Sequence, residues 1–212
     1  MATSIMEFSG QVASPAPVPA GGSVAAVTLA LAAALVEMVG RIAQARDKTN
    51  SPSLAQMVEQ AGTLRQRLLL LAEEDSKAFT AVIEARRDTS GGEAERDARL
   101  RRAWRHAGQV PADVTRLARE IAQLARRAGQ EGPASTLSDA VMAALLAAAV
   151  AAGSHLNLRF NVEAAGRPED LRVLVNDTEV LLRDTQRAAS ETRLMAEQRL
   201  TGGKAGKREG GK

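Results

Sequence analysis

Apolar residues recur along this chain at intervals of three and four, the period of helices that pack along one face. Val24, Val27, Leu31, Leu35, Met38 and Ile42 keep that spacing, and alanines fill the other faces. A stretch apolar nearly all round predicts a central helix, here over residues 23–46 with Ser23 as its N-cap. After a break at residues 47–52, Leu54, Met57, Ala61, Leu64, Leu68 and Leu71 form a stripe that resumes at Ala78, Phe79 and Val82. It predicts a long helix over 53–87, in which Asp75 falls where an apolar residue is expected.

Four more helices follow. They are expected over 93–108, over 111–127 with Pro111 in the first turn, over 138–153 with Ser138 or Thr136 as cap, and over 168–200. Leu156, Leu158, Phe160 and Val162 alternate as a strand would, but no second such run exists to pair with them. They are expected as a helix extension or an extended wall segment. Residues 14–22, with three prolines and two glycines, form a breaker-rich lead-in. The expected fold is all-α: one bundle of about six helices with a long central helix over residues 1–200, then a tail at 201–212.

Composition sharpens this. Aromatics are 2% of the 212 residues, while Ala, Leu, Arg, Gln and Glu abound, so helix formers are plentiful and strand formers scarce. The core must be small side chains that let helices approach closely. There is no cysteine, which removes disulfides, thiol nucleophiles and thiolate metal sites. With only His106 and His155, a His-based zinc site is not expected. The first residues carry Glu7 and lack a basic segment followed by an apolar one, so a cytoplasmic protein is expected. The longest apolar run, residues 140–152, is short of the ~20 residues a membrane span needs, so it is expected as a buried core helix.

Charge changes the picture less than the pI of 9.8 suggests. Of 28 basic and 25 acidic residues, the tail holds Lys204, Lys207, Arg208 and Lys212 against Glu209. The remaining 24 and 24 balance, so the folded part is neutral and nucleic acid is not an expected partner. The Gly/Lys tail is disordered by composition.

Few residues are placed for chemistry. A lone carboxylate such as Asp75 within an apolar stripe must be hydrogen-bonded, paired or neutral, and burial makes it a natural general acid or base. The alternative is a core-edge carboxylate paired with Arg or Lys. Asp139, beside Ser138, is accounted for by the helix dipole alone. Asn157 and Asn161 share a face if that segment is helical, and an amide there can read a heterocyclic edge or end a helix. Gly21, Gly22 and Ser23 present free N–H groups to an anion at a helix start. The arginines between 96 and 105 are interleaved with acids, as on a solvated face.

The string Pro15-Ala16-Pro17-Val18-Pro19-Ala20-Gly21-Gly22-Ser23-Val24-Ala25-Ala26, with Glu37-Met38-Val39 beyond it, resembles the P-G-G-G-S-x-A-A start of the formiminotransferase-cyclodeaminase and methenyltetrahydrofolate cyclohydrolase family. Asp75 through Val82 resembles its D-x-x-A-F/Y-x-A-V helix, and Val110-Pro111 its V-P-L step. Ser138-Asp139-Ala140-Val141 with Leu156 through Asn161 resembles its S-D-x-x-V-A…A-x-N-V-x-I-N stretch. The likeness runs over roughly residues 5–200. Ala20 stands in place of the first family glycine, and residues 84–88 lack the family's Leu-Pro-Lys, with Arg86 or Arg87 as substitutes for its lysine.

The resemblance implies an all-α homodimer acting on a one-carbon tetrahydrofolate, as a cyclohydrolase or a cyclodeaminase, with no cofactor beyond the folate substrate. It implies proton transfer by Asp75 and catalytic or pterin contact by Asp139. Asn157, Asn161 and Ser138 are implied to contact substrate, and Gly21, Gly22 and Ser23 to contact an anion. The lost Leu-Pro-Lys favours instead a non-catalytic folate-binding or dimeric helical module.

Overall fold

The computed structural model describes residues 4–47 and 51–205, with side chains through 201. Six α-helices make up those residues: α1 (Ile5–Val12), α2 (Gly21–Arg46), α3 (Pro52–Arg87), α4 (Glu93–Glu131), α5 (Leu137–Ala164) and α6 (Glu169–Ala205). A single 3₁₀ turn, Ala134–Thr136, precedes α5, and no strand occurs among the described residues. The tail expected at 201–212 is helical through Ala205. Its remainder lies outside the described residues.

The six helices differ in detail from the six expected. Helix α1 was not foreseen, although Ser4-Ile5-Met6-Glu7 carries its signal. Ser4 Oγ accepts from the Glu7 N–H, and the Ser4 N–H donates to Glu7 Oε2 at 2.8 Å, a reciprocal capping box. The two helices expected over 93–127 are one, because Pro111 lies inside α4 rather than opening a helix. The alternating segment at 156–162 is helix: α5 runs unbroken to Ala164. Neither Ser138 nor Thr136 caps α5 through its side chain, the Thr136 hydroxyl donating instead to the Pro133 carbonyl.

Alanine builds the core. Ala26, Ala33, Ala118, Ala122, Ala144 and Ala147 are wholly buried, so α2, α4 and α5 approach with almost no side chain between them. A Cβ at Gly40 on α2 would come within 2.7 Å of Val58 Cγ2 on α3. Helix α6 completes the bundle with Thr178, Thr185 and Thr192, each buried and seven residues apart. Each hydroxyl donates to the carbonyl four residues back, which satisfies it without a neighbour.

One expectation about orientation fails. The stripe Val24, Val27, Leu31, Leu35, Met38, Ile42 is not the inward face of α2; Leu31 is 53% exposed, and the alanine side with Leu29, Val36 and Val39 is buried. Helix α5 likewise buries its alanines and exposes Met142, Leu145, Leu156 and Phe160. Both helices are long and apolar enough to cross a bilayer, yet 50% and 44% of their most apolar windows are buried within the fold. Close packing selected the small residues, and the large ones were left outside.

Candidate active site

Helix α2 begins beside the middle of α3, and Asp75 occupies the junction. The Ser23 hydroxyl donates to Asp75 Oδ2 at 2.9 Å, the Ser23 backbone N–H also bonds the carboxylate, and Ser76 Oγ lies 3.0 Å from Ser23 Oγ. The first turn of α2 has no side-chain cap of its own, since Ala20 is the N-cap residue. Asp75 therefore caps α2 from another helix. At this helix start Gly22 and Ser23 stand against the protein's own carboxylate, and Gly21 lines the cleft beside them. Ala20, with φ of −131°, sits in extended backbone that needs no glycine.

Gly22 is required where it stands. A Cβ there would lie 2.0 Å from Asp75 Oδ1 and 2.5 Å from its Cγ. Burial pushes the Asp75 carboxyl above the ordinary carboxylate range, and the two Ser23 bonds pull part of the way back.

Asp75 opens onto a cleft of about 480 Å³, within the range of small-molecule sites. Val18, Gly21 and Gly22 form one wall, Phe79 stands one turn from Asp75, and Ser154, Asn157 and Asn161 of α5 form the opposite wall. Asp75 is the one ionisable group among these lining residues. Phe79, expected only as core, is 36% exposed and presents its ring to the cleft.

Asn161 is held in an informative way. Pro111 has no N–H, so the Ala107 carbonyl four residues earlier loses its helical partner. Asn161 Nδ2 donates to that carbonyl at 2.8 Å. The amide is thereby oriented, with its oxygen free for a donor in the cleft. A proline misplaced by helix rules is thus a support for a cleft residue.

Ser138 and Asp139 are not brought to this cleft within the chain. Asp139 is 18 residues before Asn157 on the same helix, about 27 Å away. Arg86, a substitute expected for the missing family lysine, stacks over the Trp104 ring at 5.1 Å, and neither it nor Arg87 lines the cleft. His155 is buried against α6, its Nδ1 2.9 Å from Thr178 Oγ1. Because that hydroxyl already donates to carbonyls, Nδ1 carries the hydrogen. Burial lowers the His155 pKa and keeps the ring neutral. Among the described residues no three His, Asp or Glu side chains gather as a metal-ligand set.

Residues 4–169 match the family described as formiminotransferase-cyclodeaminase. The chain belongs to that family. A methenyltetrahydrofolate cyclohydrolase of Methylorubrum extorquens is 34% identical over 164 residues, covering 75% of this chain and 79% of that protein. A mouse formimidoyltransferase-cyclodeaminase is 28% identical over 166 residues, with 76% of this chain matching 31% of the longer protein. The crystal structure of formiminotetrahydrofolate cyclodeaminase from Thermotoga maritima superposes with a TM-score of 0.84 at 27% identity, covering 93% of this chain and 98% of that one.

Proposed function

We propose that this chain is a methenyltetrahydrofolate cyclohydrolase, converting 5,10-methenyltetrahydrofolate and water to 10-formyltetrahydrofolate and a proton, with formiminotetrahydrofolate cyclodeamination as the related activity. The observation that carries this is the single carboxylate in an otherwise uncharged cleft. The methenyl bridge is an amidinium, a delocalised cation, and a half-buried carboxylate with no cation among the lining residues is its electrostatic complement. Phe79 offers a ring face to the same cation and to the pterin.

In this reading Asp75 as carboxylate takes a proton from the attacking water. The water oxygen bonds the bridge carbon and gives a tetrahedral centre between two nitrogens. The bond from that carbon to N5 breaks as N5 takes a proton from the Asp75 carboxyl, and the hydroxyl on the bridge carbon gives its own proton through Asp75 to solvent, leaving the formyl C=O on N10. A raised pKa suits both halves of this exchange, since one group must accept and then return the proton. Asn157 and Asn161 supply amide groups for the pterin edge. The chemistry needs no cofactor, and the site works in the cytoplasm.

The apolar outer face of α2 and α5 supports a homodimer. Six large side chains there (Leu31, Met38, Met142, Leu145, Leu156 and Phe160) are each between 37% and 66% exposed. Together they amount to on the order of 500 Å² of apolar surface, the scale that marks an interface.

The test offers purified protein each substrate in turn. Loss of the methenyl absorbance supports the cyclohydrolase; ammonia release from formiminotetrahydrofolate, with methenyl absorbance rising, supports the cyclodeaminase. Neither signal refutes the reading.

A further inference from the structure

Two hydroxyls continue from Asp75 away from the cleft. Ser23 Oγ donates to Asp75 Oδ2 at 2.9 Å, and Ser76 Oγ lies 3.0 Å from Ser23 Oγ. A hydroxyl has a single hydrogen, and Ser23 gives its own to the carboxylate, so Ser76 is the donor in the second bond. While Asp75 is ionised the row therefore has one direction, from Ser76 to Ser23 to Asp75. Asp75 lines the cleft, and neither serine does. Ser23 is 1% exposed, whereas Ser76 is only half-buried, which gives the outer end of the row access to water.

Ser76 departs from the other hydroxyls of these helices. Thr80, Thr115, Thr178, Thr185, Thr192 and Thr201 each donate to the carbonyl four residues back. The Ala72 carbonyl offers Ser76 the same bond, yet its hydroxyl crosses to Ser23 on α2. That bond is not what holds Asp75. The Ser23 hydroxyl and backbone N–H already grip the carboxylate, and Ser76 makes no hydrogen bond to it.

Hydrolysis of the methenyl bridge liberates a proton, which Asp75 holds once the formyl C=O has formed. Folate then still covers the cleft side of the carboxyl. We propose that Ser23 and Ser76 relay this proton from Asp75 to solvent. The Asp75 O–H passes its proton to Ser23 Oγ as Ser23 gives its hydrogen to Ser76 Oγ and Ser76 gives its own to a surface water. Each O–H bond broken is matched by one formed, neither serine keeps a charge, and Asp75 returns to carboxylate. The two hydroxyls then rotate back to point inward. Both serines act through Asp75 and touch no substrate atom. The relay rests on the cyclohydrolase reading above and adds to it the route by which the released proton leaves.

Ser76→Ala removes the outer hydroxyl and leaves both Ser23 bonds to Asp75 in place. Alanine is also the better helix former, so the fold is not at risk. Wild type and Ser76→Ala are assayed by loss of methenyl absorbance over a series of imidazole concentrations at constant pH and ionic strength. The uncatalysed rate is subtracted at each concentration. Ser76→Ala is expected to lose about 10-fold in kcat with KM unchanged, and to regain most of it as imidazole rises, because a mobile base then takes the proton from Ser23. Wild type is expected to be indifferent to imidazole. Wild-type kcat in Ser76→Ala refutes the relay and leaves the cyclohydrolase standing. A lowered kcat that imidazole does not restore also refutes it, since a packing defect loses rate in every buffer. Wild type without turnover refutes the folate reading and the relay with it.

Discussion

Substituting Gly22 with alanine perturbs the site through one methyl group. That Cβ would stand 2.0, 2.5 and 2.7 Å from Asp75 Oδ1, Cγ and Oδ2, so the whole carboxylate must leave its position. Reaching ordinary contact requires a retreat of about 1 Å or more. The 2.9 Å bond from Ser23 Oγ cannot survive that movement. Loss of a hydrogen bond to a charged group is worth about 1.5–3 kcal/mol, and a 1 Å misplacement of a reacting group costs about 10²-fold in rate. The backbone responds in the other direction, because alanine in the first turn of α2 is favoured over glycine by about 0.5–1 kcal/mol. Gly22→Ala is therefore expected to lose about 10²-fold in kcat for methenyltetrahydrofolate hydrolysis, while its Tm changes by only a few degrees. Gly10→Ala, whose new methyl meets nothing within 4 Å, controls for the helix effect. Wild-type kcat in Gly22→Ala, with the fold intact, refutes the placement of Asp75 as the proton-transfer group.

Three further outcomes follow from other contacts. Ser23→Ala removes a bond that lowers the Asp75 pKa, so the acid limb of the pH–kcat profile, already above the ordinary carboxylate range, moves to higher pH. Pro111→Ala restores the helical bond to the Ala107 carbonyl and raises stability by about 1–3 kcal/mol. Asn161 then loses its anchor, and KM is expected to rise more than kcat falls. Glu37, buried and bonded to Arg41 at 2.6 Å and Arg65 at 2.9 Å, has a depressed pKa, chiefly from Arg41. Its contribution is present above the ordinary carboxylate range and is lost as pH falls through the depressed value. Glu37→Gln is expected to cost about 1–2 kcal/mol at pH 7, between exposed and buried pairs, with the difference from wild type closing in acid.

Much of the architecture was legible because helix period and breakers are local signals. The breaks before α3 and α4, and the length of α3, needed no tertiary information. Asp75 was visible as a polar residue interrupting a stripe, and the fold supplied its partner, Ser23, from 52 residues away. Other features were hidden for physical reasons. Periodicity finds the large apolar residues of α2 and α5, but an alanine core buries the small ones, so Leu31 and Phe160 point outward. Pro111 resembles a helix start until Asn161, 54 residues beyond Ala107, is seen to take the carbonyl it orphans. Asp139 looked like a site residue by its motif, and distance along α5 removes it from its own cleft. The Ser4–Glu7 capping box of α1 is a local signal of the same kind.

The most direct measurement follows the methenyltetrahydrofolate chromophore at neutral pH with wild type and Asp75→Asn side by side. Asparagine keeps the size of the side chain and removes its charge and basicity. The account predicts protein-dependent loss of absorbance by wild type, reduced at least 10²-fold in the variant, with folate binding retained. Equal rates in the two proteins, or no acceleration by wild type, contradict it.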